Sequence, residues 1–268
     1  MPDDRPPETG WLPDTPYDDT LMRQFLQNQS ELNATIATAC GGRVERTDLV
    51  ALADTGGPIP YFNQAVLLQP MVDRGDSAMT EIRSFYARVQ DRPVTLLSIW
   101  PTPDLTPYGW SLVGHPAFMA RGAFPFDHQA ASGVEIRSVT TADDLMEAER
   151  IMIEGYPLDE AAGLPRGTIF PGALLDRDLL IRLGVLDGAA VACATRFIAE
   201  GLVNLCMAAT LPEARRRGVW EALVWARLRD APELPAVAYT SDFSRPGFQR
   251  MGFLPITRFT LWARSSNA

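Results

Sequence analysis

The stretch Asn204-Leu205-Cys206-Met207-Ala208-Ala209-Thr210-Leu211-Pro212-Glu213-Ala214-Arg215-Arg216-Arg217-Gly218-Val219-Trp220-Glu221-Ala222-Leu223-Val224 reads as an apolar strand, a short loop at a proline, and a helix opening at a glycine flanked by arginines. Alternation along the strand puts Asn204, Cys206, Ala208 and Thr210 on one face. The first backbone N–H groups of a helix lack intrahelical partners and point outward, with the positive end of the macrodipole behind them. They form a ready anion site. Gly218 removes the side chain that would hold an anion away, and Arg215, Arg216 and Arg217 add positive charge. A pyrophosphate suits such a turn.

Working outward, residues 134–139 alternate as a strand, and Thr141-Ala142-Asp143-Asp144 caps a helix running to about residue 154. Strands over 181–186 and 190–198 flank Asp187-Gly188, a dipeptide suited to a tight hairpin. A helix over 217–229, a strand over 236–240, a helical turn over 246–251 and a closing strand over 257–263 complete the C-terminal half. The order β-α-(α)-β-β-β-α-β-α-β predicts a mixed α/β sheet with helices on both faces.

In the N-terminal half, Leu21, Phe25, Leu32 and Ile36 predict a helix over 19–39 closed by Gly41-Gly42. A strand over 44–53, a turn at Thr55-Gly56-Gly57-Pro58, a helix over 79–90 and an apolar strand over 94–100 follow. Prolines break residues 101–107, and residues 110–119 take no assignment. Glycine, proline and alanine mark 121–133 as a linker, which divides the chain into a tail (1–18), a smaller α/β domain (19–130) and a C-terminal domain (131–268). Gly114-His115-Pro116-Ala117-Phe118 in one half faintly matches Gly252-Phe253 in the other, suggesting a degenerate duplicate.

The 268 residues are 46% apolar, enough to bury a core, and the longest apolar runs are too short for a bilayer, which needs about 20 residues. No basic and apolar leader opens the chain, so a cytoplasmic protein is expected. Cys40, Cys193 and Cys206 have no paired spacing, and the two histidines, His115 and His128, stand apart from any cysteine or acidic motif, so neither disulfides nor a metal centre are expected. Both histidines read as ordinary structural or surface residues. All 24 basic residues are arginine, and the net charge of −9 disfavours nucleic acid. Three clustered arginines suffice for one small polyanion.

Residues 212–220 resemble the signature Pro-x-x-Arg/Gln-x-x-Gly-x-Gly/Ala of the GNAT superfamily of N-acyltransferases, with Arg215 and Gly218 in register. The likeness covers roughly the last 135 residues and includes the element order. It implies an acetyl-CoA (or other acyl-CoA) site in which the splayed strand at Ala208, Ala209 and Thr210 pairs with pantetheine. The N–H groups of Arg216, Arg217, Gly218, Val219, Trp220 and Glu221 would hold the pyrophosphate. Trp220 departs from the usual Gly or Ala.

A second block, Tyr239 to Phe253, resembles the family's later motif through Gly252-Phe253, but Phe248 stands where a tyrosine general acid is usual. Water, Ser241 or Ser244 are then the candidate acids, Asp242 or Glu200 the candidate bases. Asn204 occupies a position where some relatives carry a carboxylate base, a role an amide cannot fill, and Cys206 reads as a small hydrophobe. The resemblance implies transfer of an acetyl group to an amine of a small molecule or peptide by direct attack, while the net charge and the short apolar runs argue against a nucleic-acid or membrane partner. The competing reading is a non-catalytic acyl-CoA-binding or regulatory protein.

Overall fold

The computed structural model describes residues 21–87, 92–124, 133–156, 158–161 and 163–264; the expected tail, residues 125–132 of the expected linker, and His128 lie outside the described residues. Helix α1 (Leu21–Ala39) buries Phe25, Leu32 and Ile36 as its spacing predicts, and also Asn28, Gln29 and Asn33. It is enclosed on more than one side because it packs against β-strands of both halves.

The strand expected over 44–53 is a hairpin instead, β1 (Arg43–Arg46) and β2 (Val50–Asp54). Thr47 breaks it: its Oγ1 accepts from the N–H groups of Leu49 and Val50, a local bond that competes with the extended ladder. Then come β3 (Gln64–Leu67), α2 (Asp76–Tyr86) and β4 (Val94–Ser98). The unassigned stretch over 110–119 holds most of two strands, β5 (Ser111–Gly114) and β6 (Ala117–Arg121).

The second half runs β7 (Val134–Ser138), α3 (Ala142–Gly155), β8 (Leu179–Leu186), β9 (Ala189–Ala199), β10 (Leu202–Thr210), α4 (Val219–Arg229), β11 (Ala236–Thr240), α5 (Arg245–Arg250), β12 (Leu254–Arg258) and β13 (Thr260–Arg264). Thr141 caps α3 by accepting from the N–H of Asp144. Asp187 and Gly188 turn the β8–β9 hairpin at φ 52° and 83°. The second helix allowed for after α3 is only short 3₁₀ turns, since Gly163, Pro165, Gly167 and Pro171 interrupt any α-helical run. The single closing strand expected over 257–263 is two strands, with the fully buried Phe259 between them.

Two sheets result, ordered β1-β2-β3-β4-β13-β5 and β12-β6-β11-β10-β9-β8-β7. Each half lends a strand to the other. The strand β6 lies antiparallel between β11 and β12, while β13 lies antiparallel between β4 and β5. The expectation that β13 closes the C-terminal sheet is corrected accordingly. The boundary proposed near residue 130 divides the sequence but not the sheets.

The halves repeat one another. Each has an antiparallel run of three strands (β1–β2–β3; β8–β9–β10), a helix (α2; α4), and a strand parallel to the third (β4; β11). Even the turn recurs: Gly75 precedes α2 at φ 88° as Gly218 precedes α4 at φ 79°. What differs is the parallel pair. Three of the four residues of β3 pair with β4, whereas only Val203 and Asn204 of nine-residue β10 pair with β11.

The exchange predicts that residues 133–268 do not fold alone, because their sheet lacks β6 and their β13 lacks partners. This fragment should show no cooperative thermal transition. Mixing it with a fragment of residues 1–132 during refolding should restore one, read by circular dichroism and size-exclusion chromatography.

Candidate functional site

Past Asn204 the strands β10 and β11 part, and a cavity of about 450 Å³ lies where they separate. Its walls come from both halves: Gln29, Asn33 and Tyr61 on one side, Met207, Trp220 and Tyr239 on the other. The strand does not alternate through the opening as expected. A bulge shifts the β9–β10 register between Cys206 and Ala209, with Met207 at φ 44°, and the four consecutive residues Leu205, Cys206, Met207 and Ala208 all reach the cavity.

Beyond the strand, Pro212–Ala214 forms a 3₁₀ turn, Arg216 takes φ 64°, and Gly218 takes φ 79° immediately before α4. Left-handed residues set among right-handed or extended ones turn successive N–H groups inward and make an anion-binding concavity. The first bond of the helix runs from the N–H of Ala222 to the carbonyl of Gly218, so the N–H groups of Val219, Trp220 and Glu221 have no helical acceptor.

The arginines divide their work. Arg215 donates to the carbonyls of Thr210 (3.2 Å) and Gly155 (3.0 Å), strapping the loop to the ends of β10 and α3. Arg217 pairs with Asp187 at 2.7 Å on the surface, a contact worth about 0–1 kcal/mol. Arg216 is exposed at the left-handed position itself. Ala208 faces the cavity, whereas Ala209 is buried in the core and Thr210 gives its carbonyl to Arg215.

Trp220 does not fill the concavity. Its indole turns toward α5 and stacks edge-on against Phe248, ring centroids 5.1 Å apart, over a residue without a side chain. A Cβ on Gly247 would stand 2.6 Å from the indole, so a side chain at 247 would displace the ring from this position. Phe248, 5% exposed, also packs edge-on against Phe253 at 5.0 Å. It carries no proton to give.

Of the remaining candidates, Asn204 does not reach the cavity: it is 1% exposed and donates to Asn28 Oδ1 (3.0 Å) and Gln29 Oε1 (3.2 Å) of α1. The β9–β10 ladder is regular from Asn204 to Cys206, so it is these bonds to α1, and not the bulge, that keep Asn204 from the cavity. Glu200, on the β9–β10 turn, lies beside Glu31 of α1 and away from the cavity. Ser241, Asp242 and Ser244 do border it. The two serine hydroxyls lie 3.2 Å apart, and Asp242 is bound by Arg258 (2.7 Å) and Arg245 (3.3 Å), which hold its carboxyl below the usual range.

Sequence reasoning missed four lining groups. Tyr61, Tyr156 and Tyr239 come from three separate elements, and burial raises the phenols of Tyr61 and Tyr239. His115, set aside as an ordinary residue, borders the same cavity from the β5–β6 turn. Tyr61 and His115 come from the first half and are brought in by packing across the halves, while Tyr156 and Tyr239 lie in the second half, where no sequence signal set them apart from other aromatics. Among the described residues no cluster of His, Cys, Asp and Glu has metal-binding geometry, and no helix is long and apolar enough to cross a membrane.

The architecture has close counterparts among solved structures. A GCN5-related N-acetyltransferase from Kribbella flavida matches at TM-score 0.59 and 18% identity, covering 88% of this chain and 95% of its own. A GCN5-related N-acetyltransferase from Sphaerobacter thermophilus matches at TM-score 0.54 and 13% identity, with 91% and 94% coverage. A tandem GNAT protein from the clavulanic acid biosynthesis pathway matches at TM-score 0.50 and 16% identity, with 94% and 97% coverage. No protein-family model and no curated protein matches the sequence. The chain therefore has the GNAT fold in a two-domain form, the first half being a GNAT-like unit whose parallel strands stay closed.

Burial pushes the Cys206 thiol up to about 12, which leaves it overwhelmingly protonated at neutral pH. Native protein at pH 8 should alkylate at Cys206 about ten- to a hundredfold more slowly than a free thiol of pKa about 8.5, the lower thiolate fraction outweighing its higher nucleophilicity, followed by iodoacetamide labelling and mass spectrometry. Rapid stoichiometric labelling there would reopen Cys206 as a nucleophile.

Proposed function

We propose that this protein is an acetyl-CoA-dependent N-acyltransferase. The observation that carries the reading is the early parting of β10 from β11 beside a left-handed turn and a helix start, with the cavity between. The residues present fit the acyl donor. On this reading the free edge of β10 at Ala208, Ala209 and Thr210 pairs with pantetheine, and the N–H groups of Arg216, Arg217, Gly218, Val219, Trp220 and Glu221 hold the pyrophosphate. Arg215 acts indirectly, by fixing the loop.

Acetyl-CoA supplies an activated thioester, and a neutral amine attacks it directly. A thiolate is a fair leaving group, the free thiol having a pKa of about 8.5, so the phenyl ring at 248 slows departure without preventing it. The acceptor end of the cavity is walled by Leu32, Ile36, Ile59, Phe62 and Leu158 together with the tyrosines. Among the described lining residues the one carboxylate, Asp242, is already bound to two arginines. Those walls favour an amine with an apolar or aromatic body over a polycation, despite the overall acidic charge. The buried Phe248 favours the second reading, an acyl-CoA-binding protein without turnover.

Titration calorimetry with acetyl-CoA, paired with a thiol-release assay over arylalkyl amines and polyamines, separates the two readings: binding with release supports the enzyme, binding alone the second. Gly218→Glu should weaken acetyl-CoA binding at least 100-fold, through an unfavourable φ and a carboxylate in the concavity. Gly218→Ala, with strain but no charge, should lose less. Unchanged affinity in the glutamate variant places the pyrophosphate elsewhere.

A further inference from the structure

We propose that His115 is the general base of this site, taking the proton from the acceptor ammonium at Nε2. The inference rests on the acyltransferase reading above. Its ground is a single hydrogen bond together with the composition of the cavity.

The imidazole Nδ1 of His115 lies 3.2 Å from the backbone carbonyl of Phe259. A carbonyl can only accept, so Nδ1 carries the hydrogen and the neutral ring keeps its lone pair on Nε2. The ring's own backbone is pinned as well. Arg258 Nη1 donates to the His115 carbonyl at 2.6 Å, and the N–H of Phe259 donates to the carbonyl of Pro116 at 3.0 Å. The β5–β6 turn is thus clamped to the β12–β13 junction at the point where the two halves exchange strands. The side chain remains exposed, and it borders the cavity.

Elimination among the lining groups leaves no competitor. The carboxylate of Asp242 is weakened as a base by Arg258 and Arg245, Tyr61 and Tyr239 are phenols raised by burial, and Tyr156 is a phenol. Cys206 is driven up to about 12, and the buried Arg227 is already a cation. An imidazole is the one side chain that ordinarily changes charge between about pH 5 and 8, the range in which a base must be free to accept. Among the described residues Arg258 donates to the His115 carbonyl, Asp242 is bound to Arg258, and Arg245 is bound to Asp242.

The steps balance. Nε2 takes one proton from the acceptor ammonium, giving a neutral amine and an imidazolium. The amine nitrogen attacks the thioester carbonyl carbon; the C–N bond forms, the C–S bond breaks, and the electron pair of that bond leaves on the thiolate. The amide nitrogen's surplus proton passes to the thiolate, and the imidazolium returns its proton to solvent.

Two measurements test the assignment, both on the full chain. In a His128→Gln background, ¹⁵N-detected NMR of the one remaining imidazole should show the neutral ring protonated at Nδ1; protonation at Nε2 overturns the proposal. With acetyl-CoA and 2-phenylethylamine, kcat/KM should rise through an acid limb, and His115→Gln should lower it about 100-fold and abolish that limb while acetyl-CoA affinity stays within twofold. A variant that keeps the rate and the limb refutes the role of His115 and leaves the acyltransferase reading standing. Binding of acetyl-CoA without thiol release from any amine sinks the acyltransferase reading and this proposal together.

Discussion

Everything at the site depends on where two strands change places. With β6 between β11 and β12, the edge of β11 that a closing strand of its own half would have covered is covered by the other half, and β13 completes the debt by pairing with β4 and β5. All five residues of β11 pair with β6, and the same strand holds only Val203 and Asn204 on its other side. A strand fully satisfied along one edge can be released along the other without unravelling, because its remaining ladder still fixes its position. The opening between β10 and β11 is stable for that reason.

The second constraint is polar and buried. Helix α1 carries Asn28, Gln29 and Asn33 into the space between the sheets, where Asn28 Nδ2 reaches the carbonyls of Ala199 and Leu202, and Asn33 Nδ2 and Gln29 Nε2 reach Gln64 Oε1. Gln64 in turn donates to Thr95 on β4. A network of amides is directional where an apolar interface is not: each unmade bond costs about 1–3 kcal/mol, so only one relative placement of helix and sheets satisfies it. The same helix lines the cavity with Gln29 and Asn33, which couples the width of the acceptor end to the seating of α1.

Much of this was readable beforehand, and the failures share a cause. The order of elements from β7 to α5, apart from the helix allowed for after α3, the Asp187-Gly188 hairpin, the Thr141 cap and the glycine at 218 all depend on interactions within a few residues, and each is present. The bulge at Met207 reversed the expected facing of the following residues, since a strand's alternation holds only while its ladder is unbroken. Asn204 was lost to the site because its partners, Asn28 and Gln29, lie about 175 positions away. The exchange of β6 and β13 is likewise a choice between equivalent partners, and pattern alone does not distinguish a strand returning to its own sheet from one crossing to its twin. His115 was invisible on the same account: an isolated histidine acquires an orientation only when Phe259, from the far end of the chain, supplies the carbonyl.

The aromatic group at the other wall shows how one local change propagates. An indole at position 220 needs room, and it takes that room above Gly247 and against Phe248, forming edge-on contacts worth about 0.5–1.5 kcal/mol per pair. Phe248 belongs to the apolar cluster with Phe253, Leu228 and Trp225 and also borders the cavity. Phe248 thus serves the packing of Trp220, and the hydroxyls beside it on the cavity are those of Ser241 and Ser244. The clamped turn of His115 and the end of β11 border the same cavity, and they come from different halves of the chain.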